Sequence, residues 1–302
     1  MNKSLITLTA AATATVSKIL NFSCVDGPGN RLVIFLQGCN FRCQNCHNPH
    51  TIGICNHCGD CANHCPADAL SMRQADSGKS QVIWNPELCT HCDTCLAVCP
   101  TQSNPKTRRY SVEEMLAIVR KNNMFITGIT VTGGEATLQL KFIIALFSRI
   151  KADPRLNHLT CMIDSNGSLS ETGWLKVIPV LDGAMIDLKA WQEETHLWLT
   201  GRDNHRVFQT LHLLASHKKL HEVRLLHIPT ITDFQGEIDD LAHYLLQLPA
   251  STRIRLNAFQ HHGVTGEALN WPICTKEEIE SLAQQLEKYG VNNVVRPAVL
   301  SS

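Results

Sequence analysis

Three cysteines in the first fifty residues, Cys39, Cys43 and Cys46, are separated by three and then two residues and follow a short apolar run. Thiolates are the usual ligands of iron–sulfur clusters, and a cubane 4Fe-4S cluster needs four of them. A loop with three cysteines can therefore hold a cube and leave one iron free for a small molecule. The alternative is a structural zinc site completed by His47 or by a distant cysteine. Zinc ligands usually come as two pairs, which this loop lacks, so the spacing favours the cluster.

Eight of the fourteen cysteines form two runs with identical internal spacing, each ending in Cys-Pro: Cys55, Cys58, Cys61 and Cys65, then Cys89, Cys92, Cys95 and Cys99. Bacterial two-cluster ferredoxins have this spacing, and in them the fourth cysteine of each run binds the other cube. The pattern predicts one cube on Cys55, Cys58, Cys61 and Cys99, and a second on Cys89, Cys92, Cys95 and Cys65. Zinc would explain neither the proline nor the repeat. The remaining Cys24, Cys161 and Cys274 are expected to be small buried residues.

Composition excludes several functions. The 302 residues are 44% hydrophobic, and 27 basic residues balance 27 acidic ones, so nucleic-acid binding has little electrostatic support. No run of about 18 apolar residues could span a membrane, and residues 1–20 only loosely mimic a signal peptide because threonines interrupt them. Reduced thiols and iron–sulfur cubes are typical of a reducing, anaerobic cytoplasm. We therefore expect a soluble cytoplasmic protein with no nucleic acid or membrane as partner.

The elements that must position the cysteines alternate between strands and helices. The apolar run Arg31–Leu36 predicts a buried strand that ends at the three-cysteine loop, and further strands are predicted at 126–131, 159–163, 184–188, 223–228 and 254–259. Capping boxes at 111–114 and 275–278 predict helix starts. This alternation of strands and helices predicts a parallel sheet whose functional residues lie at the carboxyl ends of the strands. The pattern alone leaves a partial barrel and an open doubly wound sheet as alternatives.

Further polar residues follow the predicted strands. The segment 132–135 (Thr-Gly-Gly-Glu) follows the second strand, 164–167 (Asp-Ser-Asn-Gly) the third and 185–189 (Met-Ile-Asp-Leu-Lys) the fourth. Paired glycines allow a ligand to approach the backbone closely, although a tight turn is the alternative. The carboxylates and the lysine converge on the edge that holds the cysteine loop, unless they are only loop caps or an ion pair.

Taken together, these motifs resemble the radical S-adenosylmethionine (SAM) enzymes, and specifically the glycyl radical enzyme activating enzymes. The three-cysteine loop, the preceding segment 25–31 (Val-Asp-Gly-Pro-Gly-Asn-Arg) and the exit 46–49 (Cys-His-Asn-Pro) all fit that family. The resemblance implies a partial (β/α)6 TIM-type barrel with an inserted bacterial 2x4Fe-4S ferredoxin-like domain. The barrel would begin in residues 1–50, the insert would occupy 51–105, and the barrel would continue in 106–302.

The resemblance also implies an activity. A reduced cube on Cys39, Cys43 and Cys46 would cleave SAM, and the resulting 5′-deoxyadenosyl radical would take hydrogen from a glycine of a partner glycyl radical enzyme. The partner's loop would enter near Asp26, and reduced flavodoxin or ferredoxin would donate electrons to a monomeric enzyme that carries three 4Fe-4S clusters. Two alternatives remain: radical chemistry on a small molecule or another peptide, and a noncatalytic ferredoxin-like electron carrier.

Individual roles follow from the same resemblance. SAM would be bound by Asn45, Cys46, His47, Gly133, Gly134, Glu135, Asp187, Leu188, Lys189 and Gln260. A monovalent cation would lie between Asp164, Ser165, Met185 and Asp187. The sequence departs from the family at Asn45, where an aromatic residue is usual, at Ala136, where proline is usual, and at Gln260, where a histidine is usual; His261 is the alternative for that last position.

Overall fold

The central feature of the fold is a nine-stranded sheet, seen in a computed structural model that describes residues 12–75 and 78–297. In chain order the strands and helices are β1 (Thr13–Ser23), β2 (Arg31–Leu36), α1 (Asp60–Asn63), β3 (Leu70–Gln74), β4 (Ser80–Trp84), α2 (Thr94–Ala97), β5 (Arg108–Ser111), α3 (Val112–Asn122), β6 (Gly128–Gly133), α4 (Leu140–Ala152), β7 (Thr160–Ser165), α5 (Glu171–Val177), β8 (Gly183–Leu188), α6 (Glu193–Thr200), α7 (His205–Ser216), β9 (Leu220–His227), α8 (Ile238–Leu246), β10 (Arg253–Ala258), α9 (Lys276–Lys288) and β11 (Val294–Val295). Across the sheet the order is β11, β10, β9, β8, β7, β6, β2, β1, β5.

The parallel part of the sheet is the predicted set of six strands. Strands β2, β6, β7, β8, β9 and β10 pair as parallel neighbours in that order. Most of their residues are buried, as expected for strands covered on both faces. Helices connect successive strands, so the expected α/β architecture with a partial barrel is confirmed. The observed strands begin and end within three residues of the predicted ones.

Three strands of the large sheet were not predicted. Strand β1 runs antiparallel to both β2 and β5, whereas the two-residue β11 lies parallel to β10. Part of the stretch that loosely mimics a signal peptide therefore belongs to the sheet, and residues 1–11 of that stretch lie outside the described residues. Its residues alternate between half-buried threonines and the buried Ala14 and Val16 at 13–16, so the strand buries one face with few large apolar residues.

Both predicted capping boxes are confirmed. The Ser111 hydroxyl accepts a hydrogen bond from the Glu114 backbone, and the Glu114 carboxylate accepts one from the Ser111 backbone. The same reciprocal pair joins Thr275 and Glu278 at the start of α9. These bonds satisfy amide groups that the first helical turn cannot pair, and they fix where α3 and α9 leave the preceding chain.

A buried arginine fills the amino-terminal end of the barrel interior. Arg31 is fully buried, and its guanidinium donates to Thr130 Oγ1 at 2.6 Å and to Thr160 Oγ1 at 2.9 Å. It also donates to the Thr160 carbonyl at 3.0 Å. These contacts tie together β2, β6 and β7 near their amino ends and satisfy a charge that would be costly to bury unpaired. Free space in the barrel is left at the carboxyl edge.

The cysteine-rich segment has its own small sheet and its own apolar cluster. Strands β3 and β4 pair antiparallel, separately from the large sheet. Cys61, Leu70 and Cys95 form a buried group against which Val82 and Trp84 pack. Helices α1 and α2 lie at equivalent places in the two cysteine runs. The repeat in sequence is therefore a repeat in structure.

The expectation for the three remaining cysteines needs one correction. Cys161 and Cys274 are buried as expected, but Cys24 is exposed. Cys24 follows the last residue of β1, where the chain leaves the sheet, and its thiol donates to Asn30 Oδ1 at 3.2 Å. A single small residue in a surface turn has no apolar surroundings to bury it.

Candidate active site

The loop that carries Cys39, Cys43 and Cys46 is held from two sides by backbone hydrogen bonds. On one side, the Cys39 amide donates to the Ile52 carbonyl at 3.0 Å. On the other, the Arg42 amide donates to the Thr200 carbonyl at 2.8 Å, at the end of α6. We call residues 39–46 the cluster loop. Its position at the carboxyl end of β2 is fixed by chain segments that are far apart in sequence.

The cluster loop forms one wall of a cavity of about 490 Å³ at the carboxyl edge of the parallel strands. Most of the predicted site residues line this cavity: Asp26, Cys39, Cys43, Asn45, Cys46, His47, Gly133, Gly134, Asp164, Ser165, Asp187, Lys189 and Gln260. The structure therefore brings together residues that are spread over more than two hundred positions of the chain. Glu135, Met185 and Leu188 do not line the cavity.

The three loop thiols occupy surroundings that favour their neutral form when nothing is bound. Burial raises the pKa of the Cys43 thiol to about 12 and that of Cys39 to about 11. A cysteine binds a metal as a thiolate. A positively charged group bound between the three thiols would therefore stabilise the thiolates and offset the cost of burying their negative charge. Nearby Asn45 Oδ1 and His47 Nε2 are buried and find no partner among the described residues. Three thiols on one cavity fit a cube, whereas no three Cys, His, Asp or Glu side chains in the described ranges are arranged to hold a single metal ion.

Asp187 and Lys189 form an ion pair on the cavity wall. Lys189 Nζ lies 2.9 Å from Asp187 Oδ2, and both residues come from the end of β8 and the residue after it. Burial alone would lower the pKa of Lys189, but the Asp187 carboxylate and the Cys43 thiol outweigh it and raise that pKa above its usual range. Lys189 therefore remains a cation beside the cluster loop.

Arg224 on β9 is a charged residue that sequence reasoning missed. Its guanidinium donates to Asp164 Oδ2 at 2.9 Å, to Met185 Sδ at 3.1 Å and to Glu222 Oε1 at 2.8 Å. The only signal in the sequence was an arginine inside an apolar run, which could equally have faced solvent. Strand β9 adjoins β8, and alternate residues of β9 point into the barrel. Arg224 therefore reaches Asp164 and Met185, two of the predicted cation ligands, from the barrel interior.

Asp164 combines a paired oxygen with an unpaired one. Its Oδ2 accepts from Thr132 Oγ1 at 3.0 Å as well as from Arg224, whereas Oδ1 is buried and finds no partner among the described residues. Burial raises the pKa of Asp164 to about 6, despite the opposing effect of Arg224. The unpaired oxygen belongs to a cavity-lining residue and is available to a cationic ligand.

Glu135 has a structural role in the described fold. It is almost fully buried, and its carboxylate accepts from Ser165 Oγ at 2.9 Å and from the Asn166 amide at 2.8 Å. It thus links the end of β6 to the end of β7 and lies behind the cavity wall. Gly134 faces the cavity, and a Cβ there would lie 2.4 Å from the Gly38 carbonyl oxygen. Glycine is required there because the turn after β6 packs closely on the backbone of Gly38, just before the cluster loop.

Gln260 and His261, the two alternatives for one predicted SAM contact, have different surroundings. Gln260 lines the cavity, and its side-chain amide donates to the Cys274 carbonyl at 3.1 Å. His261 is directed elsewhere, with Nε2 at 2.8 Å from the Trp271 carbonyl oxygen. Gln260 is therefore the residue of this segment that a bound ligand would meet.

The cysteines of the insert group as the ferredoxin spacing predicts. A second, smaller cavity is lined by four of them, Cys65 from the first run and Cys89, Cys92 and Cys95 from the second. Burial raises the pKa of the Cys55 thiol, and the neighbouring Cys99 and Cys58 thiols raise it further, so Cys99 of the second run lies near the first. We call Cys55, Cys58, Cys61 and Cys99 the proximal set, and Cys65, Cys89, Cys92 and Cys95 the distal set.

Comparison with solved structures defines the class of fold. QueE from Escherichia coli aligns over 98% of this chain and 99% of its own, with a TM-score of 0.56 at 12% sequence identity. SuiB from Streptococcus suis, solved with its precursor peptide SuiA, aligns over 88% of this chain and 48% of its own, with a TM-score of 0.51 at 10% identity. At these identities the likeness concerns the fold alone, which is a partial α/β barrel.

Comparison of sequences defines the family. The 4Fe-4S dicluster domain family matches residues 54–103. The benzylsuccinate synthase activating enzyme of Thauera aromatica is 31% identical, over 76% of this chain and 73% of its own. The (2S)-3-sulfopropanediol dehydratase activating enzyme of Klebsiella oxytoca is 28% identical, over 93% and 96%. The chain therefore belongs to the glycyl radical enzyme activating enzymes and carries a ferredoxin-like dicluster domain.

The search for membrane spans gave a negative result. Among the helices of residues 12–75 and 78–297, none has both the length and the apolar character that a bilayer crossing requires.

Proposed function

We propose that this enzyme cleaves SAM reductively at the cluster loop and uses the resulting radical to activate a partner glycyl radical enzyme. One observation carries the proposal: the three loop thiols share a single cavity with the Asp187–Lys189 pair and the Gly133–Gly134 turn. Three thiols that could hold a cluster thus lie beside opposite charges suited to a zwitterionic amino acid. Family membership supports the same activity and disfavours a noncatalytic electron carrier.

The cluster loop supplies three ligands, Cys39, Cys43 and Cys46. A cube held there would supply the one electron that cleaves SAM to methionine and a 5′-deoxyadenosyl radical. The surrounding residues bind and orient SAM and keep water out of the cavity.

The amino-acid end of SAM carries an ammonium and a carboxylate group, and the cavity offers partners for both. Lys189 presents a cation, and Asp187 and the unpaired Oδ1 of Asp164 present anionic oxygens. Gly133 and Gly134 leave the backbone accessible, and Asn45 and Gln260 offer amides for the polar edges of the nucleoside. His47 and the backbone near Leu188 complete the proposed contacts, whereas Glu135 would act by fixing the loop after β6.

A monovalent cation next to the SAM carboxylate is part of this proposal. Its ligands would come from Asp164, Ser165, Met185 and Asp187, and the orphaned Asp164 Oδ1 supports it. The Met185 sulfur is already engaged by Arg224, so Met185 would contribute through its backbone carbonyl. Dependence of SAM affinity on potassium or sodium, at constant ionic strength, tests this part separately.

The substrate glycine would enter beside Asp26. Asp26 lines the cavity, and its carbonyl accepts from Thr130 Oγ1 at 2.6 Å, which anchors the segment 24–30 to β6. We propose that this segment receives a loop of the partner enzyme.

We further propose a monomeric cytoplasmic enzyme with the insert at residues 51–105, three 4Fe-4S clusters, and reduced flavodoxin or ferredoxin as electron donor.

Electron paramagnetic resonance (EPR) tests the function directly. A candidate glycyl radical enzyme is incubated anaerobically with this protein, SAM and reductant, and a glycyl doublet on the partner is the expected result. A Cys43→Ala variant serves as the control without a functional cluster loop. Cleavage of SAM with no glycyl signal on any candidate partner would instead favour a small molecule or another peptide as substrate.

A further inference from the structure

We propose that the two cysteine sets of the insert act in series, with the distal set receiving an electron and the proximal set passing it to the cluster loop. This inference rests on the proposed function, because it concerns how the electron for SAM cleavage arrives. It gives electron transfer a direction, from the distal to the proximal set, although the two halves of the repeat have identical cysteine spacing.

A short covalent and hydrogen-bonded route joins the proximal set to the cluster loop. The Cys39 amide donates to the Ile52 carbonyl at 3.0 Å, and Ile52 is three residues before Cys55 in the chain. The Gln37 side-chain amide donates to the Gly53 carbonyl at 2.7 Å and holds this segment against the end of β2. Ile52 also lines the SAM cavity. The proximal set is therefore adjacent to the site on the chain and in space.

The second segment of the proximal set packs at the same place. A Cβ on Gly53 would lie 2.1 Å from the Thr101 carbonyl oxygen, so the loop after Cys99 touches Gly53 directly. The Ser103 amide donates to Cys99 Sγ at 3.3 Å. Both chain segments that supply proximal cysteines thus converge on the residue that links the insert to the cavity wall.

The equivalent part of the distal half faces solvent. Residues 85–93 are all exposed except the half-buried Cys89, whereas most of their counterparts at 51–59 are buried or half-buried. The cavity of the distal set shares no lining residue with the SAM cavity. The repeat is therefore symmetric in its cysteines and asymmetric in its surroundings. Among the described residues of the repeat, the distal half therefore presents the more continuous exposed surface to a protein donor.

The proposed transfer moves one electron and no atoms. A low-potential one-electron protein donor, of the flavodoxin or ferredoxin class, is oxidised at the exposed surface of residues 85–93. The electron passes through the distal and then the proximal set, each of which returns to its starting oxidation state. SAM is the final acceptor, and its sulfonium bond is the only bond that breaks.

Cys58 and Cys92 provide a matched pair of variants for the test. They occupy the same position in the two runs, and both are exposed. In the reduced holoenzyme, a paramagnetic neighbour speeds the electron-spin relaxation of the cluster-loop signal, which power-saturation EPR measures without any turnover. We expect Cys58→Ala to lose most of this enhancement, with a severalfold fall in half-saturation power, and Cys92→Ala to keep most of it.

A second pair of variants guards against misfolding of the insert. Gly53→Ala keeps every cysteine but pushes the Thr101 loop away from the cavity wall, so the relaxation enhancement should fall. Gly236→Ala is the control, since its added Cβ would meet the Asp233 carbonyl oxygen only at an ordinary 3.6 Å. Equal effects of Cys58→Ala and Cys92→Ala, or a larger effect of Cys92→Ala, would overturn the order, as would an unchanged signal in Gly53→Ala. Failure of the proposed function has a different signature: no SAM cleavage by the parent protein even with a small chemical reductant.

Discussion

The barrel site and the insert hold cysteines in opposite ways. In the insert, eight cysteines lie within 45 consecutive residues, and the local backbone repeats with them: His57 and His91 both have positive φ, as do Asp68 and Gln102. In the barrel, three cysteines are local, but their cavity partners come from the ends of five different strands and the loops after them. The insert is thus specified by short-range spacing, whereas the barrel site depends on strand order and register.

The difference also concerns exposure. Cys43 is half-buried, and desolvation raises its thiol pKa to about 12, whereas Cys92 is exposed and hydrogen bonds from Thr94 lower its thiol pKa. A buried, enclosed loop suits chemistry that must exclude water, and an exposed set suits contact with a donor. The following changes test this contrast.

The largest effect is expected from Cys43→Ala, which should abolish SAM cleavage with any reductant because one of the three loop ligands is lost. Cys92→Ala should reduce cleavage with a protein donor and leave measurable cleavage with a small chemical reductant. Cys24→Ser is the control, since Cys24 lies outside all three cysteine groups. Production of 5′-deoxyadenosine measures the outcome. Complete loss in Cys92→Ala as well, with the loop cube of that variant intact, would show that the insert takes part in the chemistry itself.

Asp187→Asn and Lys189→Ala should weaken SAM binding while iron content stays constant. Removing one partner of a buried charged pair typically costs on the order of 3 to 5 kcal/mol, which corresponds to a hundredfold or greater loss of affinity. Glu113→Gln provides the control, because it breaks an exposed ion pair with Arg149 away from the cavity. Equilibrium binding of SAM gives the measurement, and parental affinity in both cavity variants would return these residues to a purely structural role.

Iron content tests the count of clusters. Eleven grouped cysteines predict about three cubes, or roughly twelve irons per chain, after anaerobic reconstitution. Loss of both insert cubes, by combining Cys58→Ala with Cys92→Ala, should leave roughly four irons on the barrel. Iron and zinc are measured by elemental analysis. About four irons in the parent protein, or zinc in place of iron, would contradict the prediction.

The smallest effect is expected from Lys106→Met, which should shift the midpoint potential of the distal set to a more negative value. The largely buried Lys106 ammonium lines the distal cavity and pairs with Asp93, and a nearby cation stabilises the reduced, more negative state. Lys79→Met is the control, because Lys79 is exposed in the same insert. An EPR-monitored redox titration measures the shift, and an unchanged potential would show that solvent screens this charge.

Much of the site followed from the sequence because its signals are local. The spacing of Cys39, Cys43 and Cys46 and the apolar run before them placed the loop at a strand end, and the two capping boxes fixed helix starts. Strand β1 escaped notice because its buried face carries small residues such as Ala14 rather than a run of large apolar side chains. Arg224 escaped because one arginine in an apolar run carries no sign of which way it points.

What the sequence determined by itself is the inventory: three groups of cysteines, alternating strands and helices, and polar residues at strand ends. These depend on spacing, periodicity and residue chemistry within a few positions of the chain. Only the tertiary structure decided that Arg224 engages Asp164 and Met185, that Glu135 lies behind the cavity wall while Gln260 faces it, and that one half of a symmetric repeat packs on the barrel. Those outcomes depend on which strands are neighbours and on their register. Register brings together residues that are far apart along the chain, and no local sequence pattern shows which of them will meet.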